Sequence, residues 1–159
     1  MKRVAILCII VLMFSTGCSR GPFGSFLQSK SQKQRQLTRA ELHRETATWK
    51  KVIAANPADA SAQYTYGRVL LALDEPRQAL PHLKKANTLT RNNIDYLLWL
   101  GIAYGKSGRL SEEQASYSKV LQLHPEHTQA LVYLGNSYLK ATKYQPALNC
   151  YQRALTLQP

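Results

Sequence analysis

Histidines, carboxylates and thiols are the side chains that could do chemistry in this sequence, and they are few. His124 and His127 flank Pro125 and Glu126. Imidazoles and a carboxylate are zinc-binding types, but a zinc site needs three or four converging ligands. A pair this close around a proline reads as a surface turn. Asp74-Glu75 and Glu112-Glu113 are adjacent carboxylates. Each pair precedes or opens a helical stretch, where negative charge favours the helix N-terminus, so they read as caps and not as an acid–base couple. Glycine-rich phosphate loops and nucleophile elbows are absent from the sequence. The cysteines are Cys8, Cys18 and Cys150, too few for a disulfide framework and without paired zinc spacing. Cys150 should pack as a small apolar side chain. The expectation is a protein that is not an enzyme, with no metal, cofactor or small-molecule substrate.

Chemistry of another kind is suggested at the N-terminus. Met1-Lys2-Arg3 precedes an apolar run from Val4 to Phe14, and Ser15-Thr16-Gly17-Cys18 follows. Eleven apolar residues fall short of the roughly twenty needed to span a bilayer, so the pattern is that of a secretory signal. Small residues leading into a cysteine resemble the bacterial lipobox, although Ser15 stands where leucine is more usual. The resemblance implies a signal peptide over 1–17 and covalent lipid on Cys18, giving palmitate-type anchoring to the cell envelope. Ser19, in place of an aspartate that would favour inner-membrane retention, implies the periplasmic face of the outer membrane.

Residues 18–37 hold Gly21, Pro22, Gly24 and four serines ahead of a Gln/Lys/Arg stretch. They are expected to form a flexible, lipidated basic tether with an r.m.s. span of about 25 Å. A helix should then occupy 38–59. Thr38 suits an N-cap, Glu41 completes a capping box, and Leu37 with Leu42 forms a hydrophobic staple. Asn56-Pro57 should stop that helix near Ala55, and Leu42, Trp49, Val52 and Ile53 give it an apolar face. The charge is concentrated in this stem. The chain carries 21 Lys+Arg against 9 Asp+Glu, a formal +12. Residues 19–51 hold eight basic and two acidic side chains, whereas residues 52–159 hold eleven and seven. Such a stem suits anionic lipid headgroups. Nucleic acid is disfavoured as a partner, because the remainder is nearly balanced and shows no groove of interleaved aromatic and basic residues.

Beyond residue 57 the sequence repeats. Gly67, Gly101 and Gly135 are spaced 34 apart, with Leu70, Tyr104 and Tyr138 three residues later. Ala79, Glu113 and Ala147 follow in phase, then Leu83, Tyr117 and Tyr151, then Ala86, Val120 and Ala154. Pro57, Pro125 and Pro159 share the same phase. This pattern resembles the tetratricopeptide repeat, a helix-turn-helix unit. The departures are Gln63 at the first large apolar position, Arg91 at the proline, and Glu113 at the small position. The resemblance implies an all-α solenoid, a right-handed superhelix with units at 60–93, 94–127 and 128–159, preceded by one extra helix acting as a half-unit. The glycines should let paired helices approach closely. Pro76 suits a first helical turn, and Pro81 should kink its helix or cost it one hydrogen bond.

By the same resemblance, the concave face is lined by Ser61, Tyr64, Arg68 and Leu71 of the first unit. Asp95, Leu98, Ile102 and Lys106 follow in the second, and Gln129, Val132, Asn136 and Lys140 in the third. A mixed apolar and polar groove suits an extended peptide or a partner helix. Tyr64 and Arg68 stand where chaperone-binding members of the family place clamp residues, so recognition of an acidic C-terminal tail is not expected. Leu148, Leu155 and Leu157 lie on the last helix, which has no polar capping helix after it, and this implies self-association or a partner there. The overall expectation is a lipid-anchored envelope adaptor, similar to the repeat lipoproteins that pilot pilus and secretion machines. A scaffold for cell-wall enzymes is the alternative, and a DNA-binding envelope protein is a weaker one.

Overall fold

The computed structural model describes the backbone of residues 22–157 and side chains from residue 38 onward. Cys18 and the apolar run before it, expected to be lipidated and to form a signal peptide, lie outside the described residues. Seven helices and no strand occur among those residues: α1 (Pro22–Ala55), α2 (Ala60–Ala72), α3 (Pro76–Leu89), α4 (Ile94–Lys106), α5 (Leu110–Leu123), α6 (Thr128–Lys140) and α7 (Tyr144–Leu157). None of these helices is long and apolar enough to cross a membrane. The chain divides into two units, Met1–Glu41 and Leu42–Pro159. The described part of the first is the opening stretch of α1, and the second holds the remainder of α1 with α2–α7.

The stem departs from the expected tether. Where a flexible segment over 18–37 and a helix start at Thr38 were expected, α1 is already helical from Pro22. Proline is favoured in the first helical turn, and residues 25–37 contain no glycine or proline but several Gln, Lys, Arg and Leu, all good helix formers. Thr38 therefore lies mid-helix, with no helix start to cap. The stop at Ala55 is where the proline at 57 requires it. Trp49 and Ile53 pack on the first core cluster, whereas Val52 remains exposed.

The six remaining helices form three antiparallel pairs, α2/α3, α4/α5 and α6/α7, and each pair also packs on the next through α3–α4 and α5–α6. Two kinds of local signal, each recurring at the repeat period, build this. The first helix of each pair is capped by a side chain. Asp59 Oδ1 accepts from the Ala62 N–H at 2.9 Å, Asn93 Oδ1 from Tyr96 at 3.1 Å, and His127 Nδ1 from Ala130 at 3.2 Å. His127 is thus a helix cap. The turn inside each pair uses a left-handed residue, at Asp74 (φ 63°), Gly108 (φ 74°) and Thr142 (φ 58°). Of the carboxylates expected to cap second helices, Glu75 stands at the N-cap of α3, and Glu112 and Glu113 lie in the first turn of α5. Negative charge suits a helix N-terminus, but none of the three makes a side-chain capping bond there. Asp74 occupies the turn before α3, and Glu113 is buried inside the array. Pro76 opens α3, and the helix continues through Pro81 to Leu89. Pro81 has no N–H to donate.

Within each pair the glycine sets the approach. A Cβ at Gly67 would lie 2.6 Å from Leu83 Cγ, at Gly101 2.5 Å from Tyr117 Cε1, and at Gly135 2.7 Å from Tyr151 Cε1. The large side chain of the second helix occupies the space the glycine leaves. Two core clusters result. One centres on Tyr66, Leu70, Leu83 and Leu100, the other on Leu97, Tyr117, Leu134 and Cys150. Gln63, which departs from the repeat pattern, is buried with both ends of its amide used. Its Nε2 donates to the Pro57 carbonyl at 3.1 Å, and its Oε1 lies 2.7 Å from His82 Nδ1. A buried amide satisfied in this way avoids the cost of an unpaired polar group.

Candidate partner-binding groove

The first helices α2, α4 and α6 place one face side by side, and two clefts open along it. The first, of about 380 Å³, is walled by Leu42 and Glu45 of α1, Arg68 and Ala72 of α2, and Trp99 and Ile102 of α4. The second, of about 310 Å³, lies between Ile102 and Lys106 of α4, Tyr117 of α5, and Tyr133, Asn136 and Lys140 of α6. Ile102 and Lys106 line both, so the clefts join into one groove crossing two unit boundaries.

An aromatic cluster holds a cation at the first cleft. The Arg68 guanidinium carbon lies 4.6 Å from the Trp99 ring centroid and 5.4 Å from that of Tyr64, and Tyr64 stacks on Tyr96 at 4.6 Å. Cation–π contacts of this kind contribute about 0.5–1 kcal/mol at exposed sites, enough to orient a side chain that remains accessible to solvent. Burial raises the Tyr64 phenol above its ordinary value, with the charge of Arg68 opposing and that of Asp95 adding.

The second cleft has a buried carboxylate beneath it. Glu113 is 4% exposed. It accepts a hydrogen bond from Ser137 Oγ at 3.0 Å, and Lys140 Nζ donates to it at 3.2 Å. Its space comes from Gly105, where a Cβ would meet Glu113 Cδ at 2.7 Å. Lys140 is anchored at the cleft wall by this contact. Asn136 is oriented by the Tyr151 hydroxyl, which donates to Asn136 Oδ1 at 2.6 Å and leaves the amide nitrogen as the group it can offer a ligand. Burial pushes the Tyr117 phenol far above its ordinary value, with Glu113 next in effect, so that ring remains neutral.

The expected groove residues divide into three groups. Arg68, Ile102, Lys106, Asn136 and Lys140 line the clefts. Tyr64 is half-buried against Arg68 and Tyr96, Asp95 and Ser61 are exposed, and Val132 is half-buried. Gln129 is exposed and donates to the Tyr133 hydroxyl at 2.9 Å. Leu71 and Leu98 belong to the core: they are 4% and 5% exposed, turned into the seams between pairs. Leu71 forms the floor of the first cleft, and Leu98 packs in the second cluster. The sequence reading missed Trp99, Tyr133, Glu45 and the role of Glu113. The last had a signal, because Gly105 and Glu113 break the Leu/Ala pattern of the other units together, as Leu71 with Ala79 and Leu139 with Ala147 show. Cys150 is buried in the second cluster, which raises its thiol above the ordinary value. Among the described residues, no three His, Cys, Asp or Glu side chains gather as metal ligands would.

Models of the tetratricopeptide repeat match residues 95–127 and 128–159. The chain carries tetratricopeptide repeats. The α2/α3 pair has the same build, and two departures from the repeat pattern, Gln63 and Arg91, fall in that unit. Solved structures agree on the architecture. MamA 41-end from Desulfovibrio magneticus RS-1 superposes with a TM-score of 0.72 at 23% identity, over 75% of this chain and 67% of that one. Another MamA crystal structure gives 0.72 at 19% identity, over 79% and 73%. Likeness at this identity establishes the fold, an all-α solenoid of tetratricopeptide units. Comparison with curated protein sequences gives no match.

Proposed function

We propose that this protein is a non-enzymatic adaptor, lipid-anchored through Cys18 to a bacterial cell envelope, whose groove holds a peptide segment or helix of a protein partner. The observation that carries the reading is the continuity of the two clefts through Ile102 and Lys106. It gives an elongated site with apolar walls and a few oriented polar groups, the form that suits an extended ligand. Arg68, Asn136 and Lys140 are each held by a neighbour, so little side-chain freedom remains to be lost on binding. Anchoring is supported by the signal-like opening and the Ser15-Thr16-Gly17-Cys18 ending. Each acyl methylene buried in a bilayer contributes roughly 0.8 kcal/mol, so two or three chains hold a protein there. Service to a pilus or secretion machine at the outer membrane is the specific form of this proposal.

Two arms test it. A photoreactive residue in place of Ile102 should crosslink a partner in intact cells, whereas one at Lys85 on α3 should not, and Arg68→Glu should abolish the Ile102 product. Equal crosslinking from both positions would remove the groove from the account. Cys18→Ser should release a folded protein from the membrane fraction, and full retention of that variant would rule out the lipid anchor.

A further inference from the structure

The junctions between helix pairs reuse the same register positions every 34 residues, so a junction that departs from the others can be recognised. Position 87 on α3 carries asparagine where the preceding and following units place Ile53 and Leu121, each packed on a core cluster. Position 91 carries arginine where Pro57 and Pro125 stand. Position 92 carries asparagine in left-handed backbone (φ 63°), against Glu126 at the next junction. These three residues, with Thr88 of α3, Leu97 of α4 and Lys119 of α5, line a cleft of about 290 Å³. The backbone at 91 does not require arginine. Thr90 (φ −125°, ψ 88°) has the extended conformation of His124 (φ −137°, ψ 88°), which precedes Pro125. What arginine adds is its side chain.

Cations and amides line this cleft, and no carboxylate does. Arg91 and Lys119 are exposed and make no hydrogen bond or ion pair among the described residues. At the next junction the counterpart of Lys119, Arg153, is engaged in donating to the Pro125 carbonyl at 3.0 Å, and the turn carries the acid Glu126. Asn87 Oδ1 is buried without a partner, so the amide nitrogen is the group this side chain offers the cleft. Lys84 and Lys85 precede Thr88 by one turn on α3, a helix without a carboxylate, and add to the positive potential. Leu97, the one apolar residue of the lining, is 6% exposed. A peptide would therefore find no apolar anchor here. Arginine supplies a planar fork and lysine a point charge, a combination suited to phosphate, whose oxygens accept from several donors at once. We propose that this cleft is a phosphate-binding site, with Arg91 and Lys119 pairing with the anion and Asn87 Nδ2 donating to it. Free phosphate and the headgroup of an anionic phospholipid present the same chemistry, and the test separates them.

The test uses the full chain carrying Cys18→Ser, so that no acyl chain contributes. It compares Arg91→Pro with Arg77→Gln, which removes one charge from α3 outside the cleft. In the first arm inorganic phosphate is titrated against the backbone amide NMR spectrum. Saturable shifts confined to the residues of the cleft are expected. Arg91→Pro or Lys119→Gln should raise the dissociation constant about tenfold, the worth of one hydrogen bond to a charged group, and Arg77→Gln should leave it unchanged. In the second arm each variant is sedimented with vesicles of phosphatidylcholine carrying phosphatidylglycerol. A loss of binding by Arg91→Pro beyond that of Arg77→Gln assigns the site to a headgroup. Equal vesicle binding by these two, with the phosphate shifts present, assigns it to free phosphate. If Arg91→Pro lowers helical circular dichroism, Lys119→Gln decides alone in both arms, because that side chain is exposed. The proposal is overturned if neither probe distinguishes the cleft variants from Arg77→Gln.

Discussion

The exchange of size between Gly105 and Glu113 makes a quantitative claim about the seam between the second and third units. Replacing Glu113 by Ala leaves the hydroxyl of fully buried Ser137 without its acceptor, a cost of about 1–3 kcal/mol. It also removes one buried methylene at roughly 0.8 kcal/mol and a half-exposed ion pair contributing up to about 1 kcal/mol. Relief of carboxylate desolvation offsets part of this, so the expected net loss is about 3 kcal/mol. Gly105→Leu drives a side chain into Glu113. Overpacking costs about 3 kcal/mol, less about 1 kcal/mol gained in helix propensity. Additivity would put the double variant about 5 kcal/mol below the parent. The structure instead predicts a loss of only about 1–2 kcal/mol, because leucine at position 105 over alanine at position 113 reproduces the Leu71/Ala79 seam, so the coupling is about 3 kcal/mol or more. Ser137 has Ala103 as its counterpart, and adding Ser137→Ala should bring the variant to parental stability or above. Urea unfolding followed by circular dichroism reads all five proteins, the parent included. A double variant whose loss equals the sum of the singles within about 0.5 kcal/mol would refute the compensation.

Other perturbations have equally direct readings. Gly101→Ala sets a methyl 2.5 Å from Tyr117, itself walled by Tyr133, and should cost a net 1–2 kcal/mol or so in urea titrations after the propensity gain; an unchanged midpoint would contradict the close approach. His82 has its pKa lowered by burial first, then by Lys85 and Lys50. The unfolded chain therefore takes up the proton first, and this contribution to stability is present above about pH 6.5 and lost as pH falls below it. The parent should lose stability faster than His82→Gln between about pH 6.5 and 5, and identical slopes would exclude this role for His82.

Much of the fold was legible because each repeat signal has a steric cause. The three phased glycines each face a large side chain at the expected offset, and the stop at Ala55 follows from Pro57. The start of α1 was misread because glycine, serine and charge near 20–37 suggested a tether, while the helix-forming run from 25 to 37 supports a continuous helix. The groove was half legible. Register identified Arg68, Ile102, Asn136 and Lys140, but register alone cannot tell a concave position from a seam, and Leu98 went to the core. Trp99 was invisible because its role depends on Arg68, a residue 31 positions away.

The cross-unit ion pairs make the two junctions unequal couplers. Lys106 meets Asp74 at 2.7 Å with side chains 45% and 80% exposed, whereas Lys140 meets a Glu113 side chain that is 5% exposed. Salt screens the first pair far more than the second. In a stacked array, where cooperativity passes only between neighbours, raised ionic strength therefore loosens the α2/α3 pair from the rest before the α6/α7 pair. A ligand lying across Ile102 and Lys106 would bridge the weaker junction, and its binding energy would appear as slowed amide exchange in α2 and α3. The groove would then set the length over which the array melts as a unit.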